Sequence, residues 1–359
     1  METSYSNKPY FFVPLVNKVE RFKALNRQHL LSSNYITGKL NVTIKCITPL
    51  HFGSGKLEFE ERVNEFYHSL LHENNRVALP GSAVKGMIRS VYEAVTSSCV
   101  LNSPRELPSK VGILSACDSN DNLCPACSIF GRLSYKGKLS FSSFYSDEEP
   151  KIFKIPRLEQ PFRTYPRKDI RERDSRTGNE RLYYGDFSDI HGLNVALLTK
   201  TEFFTKKDNE KQSGGNFYGR KFYKHSINWK ALSMYAGSEN YECLPIDSLL
   251  KGNIIYQGLS EDEFGCLLFA LGVGWNPPIY HKLGYAKPAF FGSVKLTTMP
   301  EPISRYDNSQ KTVESINACA LEYYVKHKHI INAAVDALSL EWSQIGDSMW
   351  VKKDDLFGY

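Results

Sequence analysis

The chain has 359 residues, 42% of them hydrophobic, with a net charge of +6. This composition is sufficient for a buried core, and the mild positive charge permits an anionic partner without requiring one. No stretch approaches the ~20 apolar residues of a membrane span, and no secretory signal is apparent. Eight cysteines are too few for a disulfide scaffold, so we expect a cytoplasmic protein with reduced thiols and no membrane partner.

An aromatic and basic segment opens the chain at residues 1–37. Its prolines, Pro9 and Pro14, predict an extended docking segment and exclude a helix. A first strand is predicted at residues 39–47, where apolar and polar residues alternate and β-branched types are common. Residues 57–77 favour no single structure.

The first helix is predicted at residues 82–96, after a short strand and a turn at Pro80 and Gly81. Ser82 has the side chain of an N-cap, and apolar residues follow it at helical spacing. A second alternating strand is predicted at residues 137–145.

A second strand–helix–strand unit lies nearer the carboxyl terminus. Its helix is predicted from Ser260, which forms a capping box with Glu263, to about Leu271. A last strand is predicted at residues 293–297, and one or two helices at residues 313–342. This order predicts an α+β fold with a ferredoxin-like (RRM-like) βαββαβ core, a zinc-binding segment and a long basic insertion.

The predicted organisation has five parts. They are an extended docking segment (1–37), the first half of the core with a cysteine cluster (38–150), a basic aromatic insertion (151–230), the second half of the core with a glycine loop (231–298) and a helical tail (299–359).

Four cysteines predict a structural zinc site. Cys124 and Cys127 form a C-x-x-C knuckle, stiffened by Pro125, which presents two thiolates to one ion. Cys117 precedes the knuckle, and Cys99 supplies the fourth ligand unless a nearby histidine does so. The alternative is a set of ordinary buried or exposed thiols.

The start of the first helix is a candidate phosphate contact through Gly81, Ser82, Lys85 and Arg89, and the family resemblance described below is what implies that this contact is with RNA. Backbone N–H groups at a helix start attract phosphate, and the two basic residues lie four apart on one face. The alternative is a capped amphipathic helix with solvated basic residues.

The insertion carries the basic excess of the chain. Residues 151–230 contain 18 Lys and Arg, 10 Asp and Glu, and 13 aromatic residues, so their net charge is +8 and the remainder sums to −2. Basic residues follow phosphates and aromatic rings stack on bases, so Arg167, Arg171, Arg220 and Lys221 are predicted RNA contacts. The alternative is a solvated insertion with its own small core.

A glycine-containing loop at residues 284–292, with Lys282 and Lys287, is a further predicted RNA contact. An ordinary hairpin entering an edge strand is the alternative for this segment. Among the nine histidines, His51 and His225 are weak candidates for acid–base catalysis.

Several segments together resemble the RAMP superfamily of CRISPR-associated proteins. They are LPGSAVKGMIRS (79–90), CPACSIFG (124–131), HKLGYAKPAFFGSVKL (281–296), and, less specifically, PYFFVPL (9–15) and GRKFYKH (219–225). The resemblance is closest to a divergent branch of type III effector backbone subunits, and it is scattered over roughly residues 8–297.

The resemblance implies a subunit of an antiviral ribonucleoprotein complex. Such a protein binds CRISPR guide RNA, and possibly target RNA, through the RNA backbone, beside other effector subunits. Family members that cut target RNA use an Asp after the first strand, but residues 48–78 contain none and the matching position is Asn64, beside Glu65. We therefore expect no target cleavage by this subunit. The alternatives are a metal-independent endoribonuclease acting on CRISPR repeat RNA, and a zinc-stapled protein scaffold.

Overall fold

The structure of the chain is a computed structural model. It describes residues 9–16, 18–23, 35–61, 64–100, 116–156, 158, 180–182, 185–187, 219–229, 237–301 and 313–346.

The elements are numbered in chain order. The strands are β1 (Tyr10–Val13), β2 (Ile36–Cys46), β3 (Gly53–Glu60), β4 (Glu65–Leu70), β5 (His72–Glu73), β6 (Arg76–Leu79), β7 (Leu139–Phe141), β8 (Phe144–Ser146), β9 (Lys151–Pro156), β10 (Glu180–Leu182), β11 (Gly185–Phe187), β12 (Arg220–Tyr223), β13 (Ser238–Cys243), β14 (Leu249–Leu259), β15 (His281–Lys282) and β16 (Ser293–Glu301). The helices are α1 (Gly81–Ala94), α2 (Pro125–Phe130), α3 (Glu261–Ala270) and α4 (Val313–Trp342), and a 3-10 turn spans Lys287–Ala289.

The largest sheet has eight strands in the order β15-β16-β2-β14-β8-β6-β5, with β7 also paired to β14. Neighbouring strands in it are antiparallel. The chain is therefore a mixed α+β protein, as predicted, and the centre of this sheet combines strands from both ends of the sequence.

Strand β2 lies at the middle of this sheet and forms because its residues alternate. Leu40 and Ile44 are fully buried, whereas Asn41 and Lys45, which directly follow them, are exposed. This period of two is expected where one sheet face is covered and the other is not. The first predicted strand is thus confirmed, and it begins three residues earlier than expected.

Helix α1 covers the buried face of the sheet with an apolar stripe that includes Val84, Ile88 and Val91. The prediction that Ser82 is its N-cap is wrong. The helix begins at Gly81 after Pro80, and no side chain caps it. Proline at the N-cap sets an extended backbone just before the first turn, so the serine already belongs to the helix.

Helix α3 confirms its predicted capping box. The Glu263 N–H donates to Ser260 Oγ at 3.1 Å, and the Ser260 N–H donates to the Glu263 carboxylate at 2.9 Å. Helix α4 is a single helix of 30 residues that packs against α3 and β1. Among the described residues, no helix has the length and apolar character needed to cross a membrane.

The predicted strand at residues 137–145 is two short strands, β7 and β8. Between them, Ser142 donates its N–H to Asn253 O at 3.0 Å and accepts the Asn253 N–H on its Oγ at 2.9 Å. These bonds replace regular ladder pairing and divide the strand.

Among the described residues, three smaller sheets were not predicted from the sequence. One has the order β3-β4-β13-β9, in which β4 and β13 are parallel, and it includes residues 57–60 and 65–70 of the ambiguous segment. A second pairs β10 with β11. The third pairs β1 with β12, so the Pro-flanked amino-terminal segment is extended where it is described.

Candidate metal centre and nucleic-acid interface

The four predicted cysteines come together in one buried cluster. The sulfur atoms of Cys99, Cys117, Cys124 and Cys127 all lie within 4.8 Å of one another. The Cys99 sulfur is 3.6 Å from that of Cys124 and 3.7 Å from that of Cys127. The predicted grouping is confirmed, including Cys99 as its fourth member.

Local structure positions each sulfur. Cys124 is the N-cap of α2, Pro125 begins the helix, and Cys127 follows in its first turn. The Ala126 N–H donates to Ser98 Oγ at 3.0 Å, which ties the residue before Cys99 to the knuckle.

Gly131 ends helix α2 at φ 86°, a backbone conformation that favours glycine. A side chain there would also meet the Gly137 nitrogen at 2.7 Å and the Tyr135 carbonyl oxygen at 2.8 Å. The closing turn of the knuckle therefore requires glycine.

The sulfur spacing suits a metal ion. Sulfurs bound to one zinc at ~2.3 Å in a tetrahedron lie about 3.8 Å apart, whereas a disulfide requires about 2.05 Å. The distances between these sulfur atoms are therefore those of four ligands around one ion.

The remaining cysteines lie outside the cluster. Cys46, Cys243 and Cys266 are buried and Cys319 is partly buried, which agrees with their predicted place in the core.

The basic residues of α1 point in different directions. Ser82 is exposed and Lys85 is partly exposed at the start of the helix. Burial lowers the pKa of Lys85, and the positive charge of Arg89 lowers it further. Arg89 faces inward, where it pairs with Glu93 at 2.8 Å and donates to Cys127 Sγ at 3.3 Å.

Gly81 serves the packing of the same helix. A Cβ at this position would lie 2.4 Å from the Ser142 carbonyl oxygen, so only glycine lets the helix start approach the break between β7 and β8.

The two predicted contacts at the end of the insertion begin β12. Arg220 also faces Glu93, at 2.8 Å. The ammonium of Lys221 lies 4.0 Å from the centre of the Tyr10 ring, where a cation is attracted to the ring face. Arg167 and Arg171 lie outside the described residues.

The glycine loop turns its lysines inward. Lys282 is buried and donates to Phe291 O at 3.1 Å, and Lys287 donates to Gly284 O at 2.9 Å. Burial lowers the pKa of Lys282 well below its ordinary value. Contact of either ammonium with RNA would require these internal bonds to break.

Both candidate histidines are buried. His51 donates from Nδ1 to Glu242 O at 2.6 Å, and burial lowers its pKa. His225 Nδ1 lies 2.9 Å from Ser293 Oγ, and burial lowers its pKa well below the ordinary value. Acid–base chemistry on RNA would need either ring to become accessible.

The family model of the RAMP superfamily matches residues 43–246, more than half of the chain. The chain belongs to the RAMP superfamily. The matched region runs from within β2 to just beyond β13 and includes α1 and the whole cysteine cluster. No curated protein matches the chain significantly.

This RAMP protein has two features that the sequence did not reveal. One is a set of lysines on the outward face of the central strands. They are Lys39 and Lys45 on β2, Lys251 on β14 and Lys295 on β16. The alternating pattern of β2 was the available sequence signal for the outward-facing lysines of that strand. The pairing of Lys45 with Lys295, however, depends on the sheet register.

The second feature is an aromatic stack on the four-stranded sheet β3-β4-β13-β9. The rings of His68 and Tyr241 lie 4.4 Å apart, and those of Tyr241 and Tyr285 lie 5.2 Å apart. The residues come from β4, β13 and the glycine loop, so no local pattern in the sequence could have predicted them. At the two ends of the stack, His68 is partly exposed and Tyr285 is exposed.

Proposed function

We propose that this RAMP protein is an RNA-binding subunit of a type III-like CRISPR antiviral effector complex. It holds the guide RNA, and the target RNA paired with it, through backbone contacts beside other effector subunits. The family match over residues 43–246 carries this proposal, because that family supports a CRISPR-associated, RNA-binding role. The subunit does not itself cut RNA.

The proposed core is ferredoxin-like. Two observations support it: the central strand order β16-β2-β14-β8 with antiparallel neighbours, and the position of α1 between β2 and β8 and of α3 between β14 and β16 in the chain. This is the arrangement expected of two interleaved βαβ units. The insertion at residues 151–230, which begins with β9, leaves that order unchanged.

The proposed cofactor is a structural zinc ion held by Cys99, Cys117, Cys124 and Cys127. Four buried sulfurs with this spacing suit a closed tetrahedral site. When bound, zinc supplies a cross-link and no open coordination position for chemistry. The four sulfurs would hold the segment after α1 against α2.

The RNA surface that we propose includes the start of α1. The first turn contains no acidic residue and no side-chain cap, so a phosphate meets the positive end of the helix dipole without a competing carboxylate. Ser82 adds an exposed hydroxyl. A phosphate beside Lys85 would offset the burial and the neighbouring charge that lower its pKa.

The decisive test is a salt titration of guide RNA binding. Lys85→Ala should weaken binding of every RNA sequence about equally and flatten the slope of log affinity against log salt by about 0.7, the value for one phosphate contact with a single strand. Lys328→Ala, which removes an exposed lysine from α4, is the matched control and should keep the wild-type slope.

Each other outcome has a clear meaning. A Lys85→Ala variant with wild-type affinity and slope would remove α1 from the RNA surface. Absence of RNA binding by the wild type at low salt would favour the protein scaffold. Specific cutting of repeat RNA in EDTA would favour the endoribonuclease, with His51 and His225 as the first residues to replace.

A further inference from the structure

A buried ion-pair triad links two arginines through one carboxylate beside the cysteine cluster. Arg89 Nε donates to one oxygen of Glu93, and an Nη of Arg220 donates to the other, each at 2.8 Å. The exposed fractions of the three side chains are 13%, 9% and 11% for Arg89, Glu93 and Arg220. Burial this deep separates the triad from ordinary surface ion pairs, which contribute little.

The triad contacts both ends of the cysteine set. The second Nη of Arg89 donates to Cys127 Sγ at 3.3 Å, and its first donates to Gly131 O at 2.8 Å. Arg220 donates to the carbonyl oxygen of Cys99 at 2.9 Å and to that of Ser98 at 3.1 Å. One end therefore contacts a sulfur, and the other fixes the backbone of a different ligand.

The charges of the triad and of a metal-loaded cluster are opposite. Arginine stays protonated in proteins, so two guanidiniums and one carboxylate leave a net positive charge in a buried place. Four neutral thiols would not offset it, and a buried charge without compensation is costly. Four thiolates around one divalent ion carry a net charge of −2, which the triad partly neutralises.

We propose that Arg89, Glu93 and Arg220 are positioning residues of the metal site. Arg89 donates to the Cys127 thiolate and partly neutralises the negative charge of that sulfur. Arg220 fixes the position of Cys99 by donating to the Cys99 carbonyl oxygen. This inference rests on the proposed zinc site. It gives the two arginines a role other than RNA contact, and it connects the metal to β12, which Arg220 begins and which pairs with β1.

The first test is metal release from the full chain. Arg89→Lys keeps the positive charge but loses the fork of donors, and removal of such an outer contact typically weakens metal binding by about 10- to 100-fold. We expect zinc transfer to a chelator to be at least about tenfold faster than in the wild type. Arg76→Lys is the matched control, because Arg76 forms a similar two-bond pair with Asp147 on the surface, and should release zinc at the wild-type rate.

A second readout reports the N–H···S bond itself. In the cobalt-substituted protein, the sulfur-to-metal charge-transfer band should move in Arg89→Lys and stay in place in Arg76→Lys. In the wild type loaded with NMR-active cadmium, a labelled arginine Nη proton should couple to the metal through Cys127. This last measurement holds even if the Arg89 variant does not fold.

The outcomes separate the two ideas. A folded wild type without metal refutes the proposed zinc site and this inference with it. Bound zinc with an unchanged release rate and charge-transfer band in folded Arg89→Lys, or absence of the cadmium coupling in the wild type, overturns the role of the triad and leaves the zinc site intact.

Discussion

Two buried histidines should make the stability of this protein sensitive to mild acid. His225 and His281 both lie against Trp342 of α4, with ring centroids 5.5 and 5.6 Å from it. Among the described residues, His225 Nε2 and His281 Nδ1 have no hydrogen-bond partner. Protonating either ring would therefore place an unpaired charge in the core.

The direction in which stability changes with pH follows from the lowered pKa values of the two histidines. Burial lowers the pKa of His281 from 6.5 to about 4. Burial, followed by the charges of Lys282 and His281, lowers that of His225 well below 6.5. The unfolded chain binds these protons more readily, so the stabilisation is complete above pH 6.5 and is lost as the pH falls from there towards the folded pKa.

The lowered pKa of His281 sets the size of the expected loss in the free energy of unfolding. Each histidine that is neutral when folded and protonated when unfolded lowers the free energy of unfolding by about 1.4 kcal/mol per pH unit. His281 alone should therefore cost about 2 kcal/mol by pH 5, and the two histidines together give a limiting slope of about 2.7 kcal/mol per unit.

The assay is chemical denaturation between pH 7.5 and pH 5, with wild type and variants compared at each pH. His281→Gln preserves a donor for the Ala270 carbonyl, which His281 Nε2 contacts at 2.9 Å, and should reduce the slope by about one proton. His225→Gln should do the same. Other titrating groups cancel in the comparison. Variants that retain the full wild-type slope would refute the reasoning.

Three further predictions concern other sites. Cys124→Ser should lose the roughly one zinc per chain expected of the wild type and lower the free energy of unfolding by several kcal/mol, as checked by metal analysis and denaturation. This chain should make no metal-dependent cuts in guide-matched target RNA; regularly spaced cuts that disappear in Asn64→Ala or Glu65→Ala would contradict this. Gly81→Ala should destabilise the fold by about 1–3 kcal/mol in denaturant, because its Cβ would lie 2.4 Å from Ser142 O. Gly86→Ala, whose Cβ would have open space, should instead stabilise α1 by about 0.5–1 kcal/mol.

Elements determined by neighbouring residues were predictable. The capping box of Ser260 and Glu263 lies within a few residues of the helix that it starts, and the structure contains it as expected. The periodic segment at residues 313–342 likewise forms one helix with those bounds. The cysteine cluster was predictable because its knuckle is local and only Cys99 arrives from farther away.

The directions of the basic side chains were not predictable. Arg89 looks like a solvated residue on a helix face until Arg220, 127 residues beyond Glu93, completes its buried triad. In the sequence, Lys282 resembles an exposed loop lysine, but in the structure it is buried. Such burial depends on segments far apart in sequence, and so does the parallel pairing of β4 with β13.

The central position of β2 has a consequence for biogenesis. Its two edges are satisfied by β14 at residues 249–259 and β16 at residues 293–301, both synthesised more than 200 residues later. During translation, both edges of β2 therefore remain unpaired while the cysteine knuckle and the insertion emerge from the ribosome. Unpaired strand edges promote aggregation, so nascent or carboxyl-terminally truncated chains need protection that the completed fold does not.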